Sequence, residues 1–130
     1  MIAYVTFGAN DPAVSKAFYT PVLAALGYSP IMEHEEWTGY SRPDSPGLVW
    51  LGRPYDKQAA TPSNGTMVGF MAMDEAQVNA AHAAALANGG TCEGEPGPRP
   101  QYGPGMYLAY VRDPVGNKMS FMYRDPALAV

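Results

Sequence analysis

Two histidines, one cysteine and a run of glutamates are the residues whose types could do chemistry in this chain, and their spacing decides how far each can go. His34 stands among Glu33, Glu35 and Glu36, a set able to offer nitrogen and oxygen ligands to a divalent cation. On a strand, however, successive side chains alternate, so His34 would face away from Glu33 and Glu35, and the cluster reads as a solvated edge. His82 falls four residues after Val78 on a predicted helix and reads as an imidazole at the helix surface or helix–sheet seam. Cys92 is alone, which excludes an internal disulfide and a CxxC zinc motif, and it reads as a half-buried small hydrophobe. Nucleophilic catalysis finds no support: Ser15 and Ser120 have no recognisable His and acid partners, and no sequence neighbour activates the thiol of Cys92.

The whole chain narrows the choice further. Its 130 residues suit one domain, residues 1–130, with 47% apolar and 15% charged content, enough to bury a modest core without disulfides. A net charge of -4 with no Lys/Arg cluster argues against a nucleic-acid partner, because that affinity comes mainly from cations displacing counterions. No apolar run is long enough to span a membrane. The opening Met1-Ile2-Ala3-Tyr4-Val5 has neither a basic leader nor a cleavage pattern, so the expected compartment is the cytoplasm.

The elements that must position any site come in two matching sets. Ile2 to Ala9 reads as a strand, followed by Asp11 as N-cap and Pro12 at the first helical position. A stripe of Val14, Phe18, Val22 and Leu26 then predicts a helix ending at Gly27, with Pro21 expected to kink it or restart its last turn. Thr66 to Ala72, Asp74 with Gln77 as a capping box, and the stripe Val78, Ala81, Ala85 up to Gly89-Gly90 repeat the pattern. Val5 and Val68, Phe7 and Phe70, Asp11 and Asp74, and Gly27 and Gly90 are each 63 residues apart, which points to duplication. Three strand candidates follow each helix: 28–35, 37–42 and 48–52, then 91–95, 106–112 and 118–123. The units are therefore βαβββ, about 1–52 and 65–123, with a polar linker over 53–64. Prolines lack ladder donors, so the Pro- and Gly-rich stretch 94–105 cannot be a central strand and is expected as a surface loop or flap.

This duplication, with Tyr4-Val5-Thr6-Phe7-Gly8 entering Asn10-Asp11, then Ala17-Phe18-Tyr19, Leu26-Gly27-Tyr28 and the turn Asp113-Pro114-Val115-Gly116-Asn117, resembles the vicinal-oxygen-chelate superfamily. That group holds glyoxalases, bleomycin-resistance proteins and extradiol dioxygenases. The resemblance covers nearly the whole chain. It implies an α+β fold in which two βαβββ units curl a mixed eight-stranded sheet into a cup with both helices outside. It also implies a divalent-metal site fed by His, Glu or Gln side chains from four strands. Matched to this sequence, those positions are Tyr4, Leu48 or a neighbour, Met67 and Ser120. A phenol, an aliphatic chain, a thioether and a neutral hydroxyl are poor ligands for such a metal. The expectation is therefore no cofactor and no metal in the cup.

Strand alternation tells which side chains would line it. Val5, Phe7, Val68 and Phe70 suit the helix side. Tyr4, Thr6, Leu48, Trp50, Met67, Met71, Ser120 and Met122 share the other, an apolar, aromatic and Met-rich surface of the kind that binds small molecules. Arg99, Gln101 and Tyr102 on the loop could add polar recognition, with the Arg99 fork suited to a carboxylate or phosphate. Three functions remain: a metal-free binder of a small apolar or aromatic ligand, which is favoured; a lyase, isomerase or dioxygenase with relocated ligands; and a non-catalytic interaction domain whose cup is filled. The edge strands and apolar rim of an open cup predict a homodimer, as family members usually form.

Overall fold

Asp11 and Asp74 start the two helices by the same device. In a computed structural model that describes residues 1–128, the Asp11 carboxylate accepts from the Ala13 and Val14 amides at 3.1 and 3.5 Å, with Pro12 at N1. The Asp74 carboxylate accepts from the Gln77 amide at 2.8 Å, while the Gln77 side chain reaches back to the Met73 amide. Each helix so capped leaves fewer of its first amides without partners.

Helix α1 runs Pro12–Ala25 and α2 runs Glu75–Ala87. Strand β1, Tyr4–Gly8, precedes the first, and β2 (Ser29–Glu33), β3 (Trp37–Arg42) and β4 (Ser45–Gly52) follow it. Strand β5, Met67–Met71, precedes the second, and β6 (Thr91–Pro98), β7 (Met106–Arg112) and β8 (Lys118–Arg124) follow. The first four strands form one sheet in the order β1-β4-β3-β2 and the last four another in the order β5-β8-β7-β6. In each, the unit's first and fourth strands are parallel and the others antiparallel. The eight strands are thus two hydrogen-bonded sheets of four, and a 63-residue shift carries β1 onto β5 end to end.

One core joins them. Phe7, Val49, Leu51 and Tyr40 from the first sheet, Phe70, Met119, Phe121 and Val111 from the second, and Phe18, Tyr19, Val22, Leu23, Val78, Ala81 and Ala85 from the helices are buried in a single cluster. Each sheet puts its apolar face on the helices, as alternation requires. Side chains then tie the units together at matching places. Gly8 and Met71 lie 63 residues apart, and the carbonyl of each accepts from the opposite unit: Asn117 Nδ2 reaches Gly8 at 3.2 Å and Arg42 Nη1 reaches Met71 at 2.7 Å.

Several expectations needed correction. Helix α1 passes through Pro21 without restarting. Its inward face is Phe18, Tyr19, Val22 and Leu23 with Ser15, and Val14 is exposed instead. The left-handed glycine ending α2 is Gly89, φ 94°, whereas Gly90 is not left-handed; α2 is one residue shorter than α1, so Gly89 is the conformational counterpart of Gly27. Residues 94–98 are not loop but the outer half of β6. Missing donors bar proline only from central strands, and β6 is an edge strand.

Candidate functional site

The face of the two sheets opposite the helices carries Tyr4, Thr6, Leu48 and Trp50 from the first unit and Met67, Met71, Ser120 and Met122 from the second. The pairing register places them: Tyr4 lies beside Leu48, Thr6 beside Trp50, Gly69 beside Ser120 and Met71 beside Met122. Because Gly69 is 63 residues after Thr6, the counterpart of Ser120 in the first unit is Trp50, not Leu48. Tyr4 is 60% exposed, Met67 and Met71 are about half exposed, and Ser120 is buried beside Gly69.

Between β1 and β5, which do not hydrogen-bond to each other, lies a slot of about 300 Å³. Tyr4, Leu48 and Met67 from the open face and Val5, Val49, Val68 and Phe70 from the helix side line it, with Tyr28 packed edge to face on Phe70 at 6.1 Å. Thr6 borders a separate, smaller polar hollow with Asn117 and Lys118. Trp50, Met71, Ser120 and Met122 share the open face without lining the slot.

Glycines shape this face in a way that residue types alone did not reveal. Gly39 pairs with Trp50, and a β-carbon at Gly39 would stand 2.6 Å from the indole ring. Gly52 pairs with Trp37 and lies under that ring in the same manner. In the second unit Gly94 pairs with Tyr110, whose ring would be 2.8 Å from an added β-carbon. A missing side chain thus makes room for an aromatic ring on the neighbouring strand three times. Of these rings, only Trp50 was anticipated.

Tyr110 is flanked by cations. The Arg99 guanidinium is 5.8 Å and the Lys118 ammonium 5.7 Å from its ring centre, within reach of a cation–π attraction. Burial, then the nearby Tyr102 hydroxyl, pushes the Tyr110 phenol up from its ordinary value, so it stays neutral near pH 7. Arg99 spends its fork on the chain itself: Nη2 donates to the Glu95 carbonyl at 2.7 Å and Nη1 to those of Gly97 and Pro98. Tyr102 is exposed, on a short 3-10 turn over Pro100–Tyr102. Arg112 pairs with Glu93, whose carboxyl it holds below the usual range.

The donor set on this face does not suit a hard divalent metal. Tyr4, Trp50 or Leu48, Met67 and Ser120 offer no imidazole or carboxylate, and Glu93 is engaged by Arg112. His34 lies in the turn after β2, not on a strand, and its ring accepts from the Glu36 amide at 3.3 Å. The group of His, Cys and acidic side chains that does converge among the described residues is His82, Cys92 and Glu95, on the helix side of the second sheet. His82 sits at the helix–sheet seam and is buried, whereas Cys92 is exposed, not the half-buried hydrophobe expected.

The family model for the Glyoxalase/Bleomycin resistance protein/Dioxygenase superfamily matches residues 1–121. The chain belongs to this superfamily. A glyoxalase/bleomycin resistance protein from Albidiferax ferrireducens is similar over 96% of this chain and 99% of its own, with 41% identity and a TM-score of 0.86. A glyoxalase-related enzyme from Fulvimarina pelagi has 18% identity and a TM-score of 0.75, covering 95% of this chain and 88% of its own. A lactoylglutathione lyase from Agrobacterium tumefaciens has 21% identity and a TM-score of 0.64 over 95% and 92%. The last two are alike in fold alone. No curated protein matches the chain. No helix among the described residues is long and apolar enough to cross a membrane.

Proposed function

We propose that this superfamily member has lost the metal ligands of its cup and binds a small apolar or aromatic molecule there. The observation that carries the reading is the open slot between β1 and β5, to which the open face contributes Tyr4, Leu48 and Met67. Its volume of about 300 Å³ is at the small end of ligand pockets, enough for one or two rings. Trp50 and Trp37, packed over glycines, extend that surface with stacking planes, and the thioethers of Met67 and Met71 adapt to irregular ligands. Thr6 gives the open face a hydroxyl beside the neighbouring polar hollow, while Tyr102 and the Arg99–Tyr110–Lys118 stack border the second sheet. The 41% identical relative is described as a glyoxalase/bleomycin resistance protein, and sequestering a ligand without chemistry accords with the donor set here.

The reading extends to assembly and place. Both β2 and β6 are sheet edges, and Ile31 and Met32 on β2 are exposed, a surface that a symmetric homodimer would cover. The exposed free thiol of Cys92 suits the reducing cytoplasm.

A thermal-shift screen of aromatic metabolites and thiol conjugates tests the binding reading, because a ligand of the native state raises apparent stability. The expected result is a selective shift that Tyr4→Ala and Met67→Ala reduce. A divalent metal bound per chain and lost in the double variant Tyr4→Phe, Ser120→Ala would instead establish a metal-dependent cup.

A further inference from the structure

We propose that His82, Cys92 and Glu95 form a binding site for a zinc-class divalent cation on the helix side of the second unit, on the opposite face of the sheet from the cup. Three side chains of different ligand type meet there. His82 Nε2 is 3.2 Å from Cys92 Sγ, and that sulfur is 3.4 Å from Glu95 Oε1. All three ligand atoms lie within 4.8 Å of one another. Zinc bonds of about 2.3 Å to sulfur and about 2.0–2.2 Å to nitrogen or oxygen, at tetrahedral angles, require ligand atoms roughly 3.4–3.6 Å apart. The two distances to sulfur need to open by only a few tenths of an ångström, and the carboxylate swings freely because Glu95 is exposed.

The backbone explains why these residues meet. Cys92 and Glu95 are three apart, so on a regular strand they would face opposite sides. The register of β6 against β7 slips between Cys92 and Gly94 and again between Gly94 and Gly97. These bulges turn Glu95 to the same side as Cys92. Cys92 pairs with buried Val111, which fixes its side as the one facing α2. From α2, His82 is only 4% exposed among the buried Val78, Ala81 and Ala85, so its ring is held in place and directed at the sulfur. The set is a nitrogen, a sulfur and an oxygen, the donor types that zinc takes together. The fourth position opens to water. Binding would displace the thiol proton to solvent and clamp α2 to the outer edge of its sheet.

The test uses the full-length protein, freed of metal and reduced. Zinc is titrated in competition with a chromophoric chelator, and Co²⁺ is followed by absorption. The expected result is one zinc per chain, a thiolate-to-cobalt charge-transfer band, the strong visible bands of tetrahedral cobalt, and a higher thermal midpoint with zinc. Cys92→Ser should remove the charge-transfer band. Glu95→Gln should weaken zinc by more than about 10–100-fold, the loss that even a supporting residue outside the ligand shell causes. Both residues are exposed, and circular dichroism of each variant confirms folding without metal. The double variant Tyr4→Phe, Ser120→Ala should bind zinc as the parent does, which separates this site from the cup. Absence of stoichiometric zinc, or zinc binding unchanged in both Cys92→Ser and Glu95→Gln, overturns the proposal. Either result leaves the cup's ligand untouched.

Discussion

Replacing Asp113 by Asn should destabilise the protein by about 2–4 kcal/mol, although the change swaps one oxygen for one nitrogen. Asp113 is 4% exposed and accepts five hydrogen bonds. Its Oδ1 takes the amides of Val115, Gly116 and Asn117, each at 2.9 Å. Its Oδ2 takes the Tyr19 hydroxyl at 2.6 Å and Asn117 Nδ2 at 2.8 Å. The first three close the β7–β8 turn, with Gly116 supplying the φ of 106°. The last two reach further, because Tyr19 is on α1 and Asn117 Nδ2 also donates to the Gly8 carbonyl of β1. This carboxylate therefore ties the second unit to the first.

An Asn side chain can keep its oxygen in the three-amide cradle, but its NH₂ then faces two donors. The Tyr19 hydroxyl can rotate and accept. Asn117 Nδ2 cannot, so it loses a partner or flips and gives up Gly8. One bond is lost and four fall from the charged to the neutral range, about 1.5–3 against 0.5–1.5 kcal/mol each, without adding linearly in one network. Asp113→Ala, which orphans every donor, should cost about 3–5 kcal/mol, and Tyr19→Phe, which removes one bond, about 1–2 kcal/mol. Urea denaturation with unchanged slope gives the order directly. Asp113→Asn within about 0.5 kcal/mol of the parent, the usual scatter of surface changes, would refute the keystone role. Loss of ligand binding at full folding in the same variant would tie the turn to the slot.

Other outcomes follow from the same contacts. Burial first, then the Asp113 charge and hydrogen bond, push the Tyr19 phenol well above 10.0, and burial pushes Tyr40 up as well. The unfolded chain ionises these phenols at their ordinary value, so their stability contribution is whole below about pH 10 and falls as pH rises beyond it, by up to ~1.4 kcal/mol per pH unit per group. Denaturation curves between about pH 8 and about pH 11 should show that fall, shallower in Tyr19→Phe. Gly39→Ala should cost about 1–3 kcal/mol by overpacking and alter tryptophan fluorescence, since the new methyl meets the Trp50 ring. Truncating Met67 or Tyr4 to Ala should weaken an apolar ligand by about 1.5–3 kcal/mol, read by calorimetry, with little change in stability.

What could be read from the residues depended on whether their local rule held without interruption. Asp11 and Asp74 mark helix starts because capping is decided within three residues, and Val5, Phe7, Val68 and Phe70 mark the helix side because β1 and β5 are regular. Those rules delivered the units, the sheets' two faces and the residues that share the open one. They could not show the slot itself, which depends on how β1 and β5 of separate sheets stand to one another, nor the bonds of Tyr19, Arg42 and Asn117 between units over separations as long as 109 residues. Nor could they show Trp37 and Tyr110 packed over the sheet, because each needs a glycine on the neighbouring strand in register.

The misreading of residues 94–98 is the most instructive, because one cause hides both the outer half of the strand and the cluster. The same prolines and glycines that made 94–105 read as loop permit an edge strand to bulge. Once β6 bulges, parity counting no longer says which side Glu95 faces, and a carboxylate that regular alternation would point away from Cys92 arrives beside it. Sequence spacing alone therefore leaves Cys92 solitary. A bulge is detectable in principle, since Gly94 and Gly97 punctuate a run otherwise able to pair with 106–112. Substituting Gly94 by Val tests this dependence. The β-carbon would meet Tyr110 at 2.8 Å, so the strand must shift, and the expected result is lower zinc affinity with His82, Cys92 and Glu95 all still present. Unaltered affinity would mean that the convergence does not depend on the bulged path of β6.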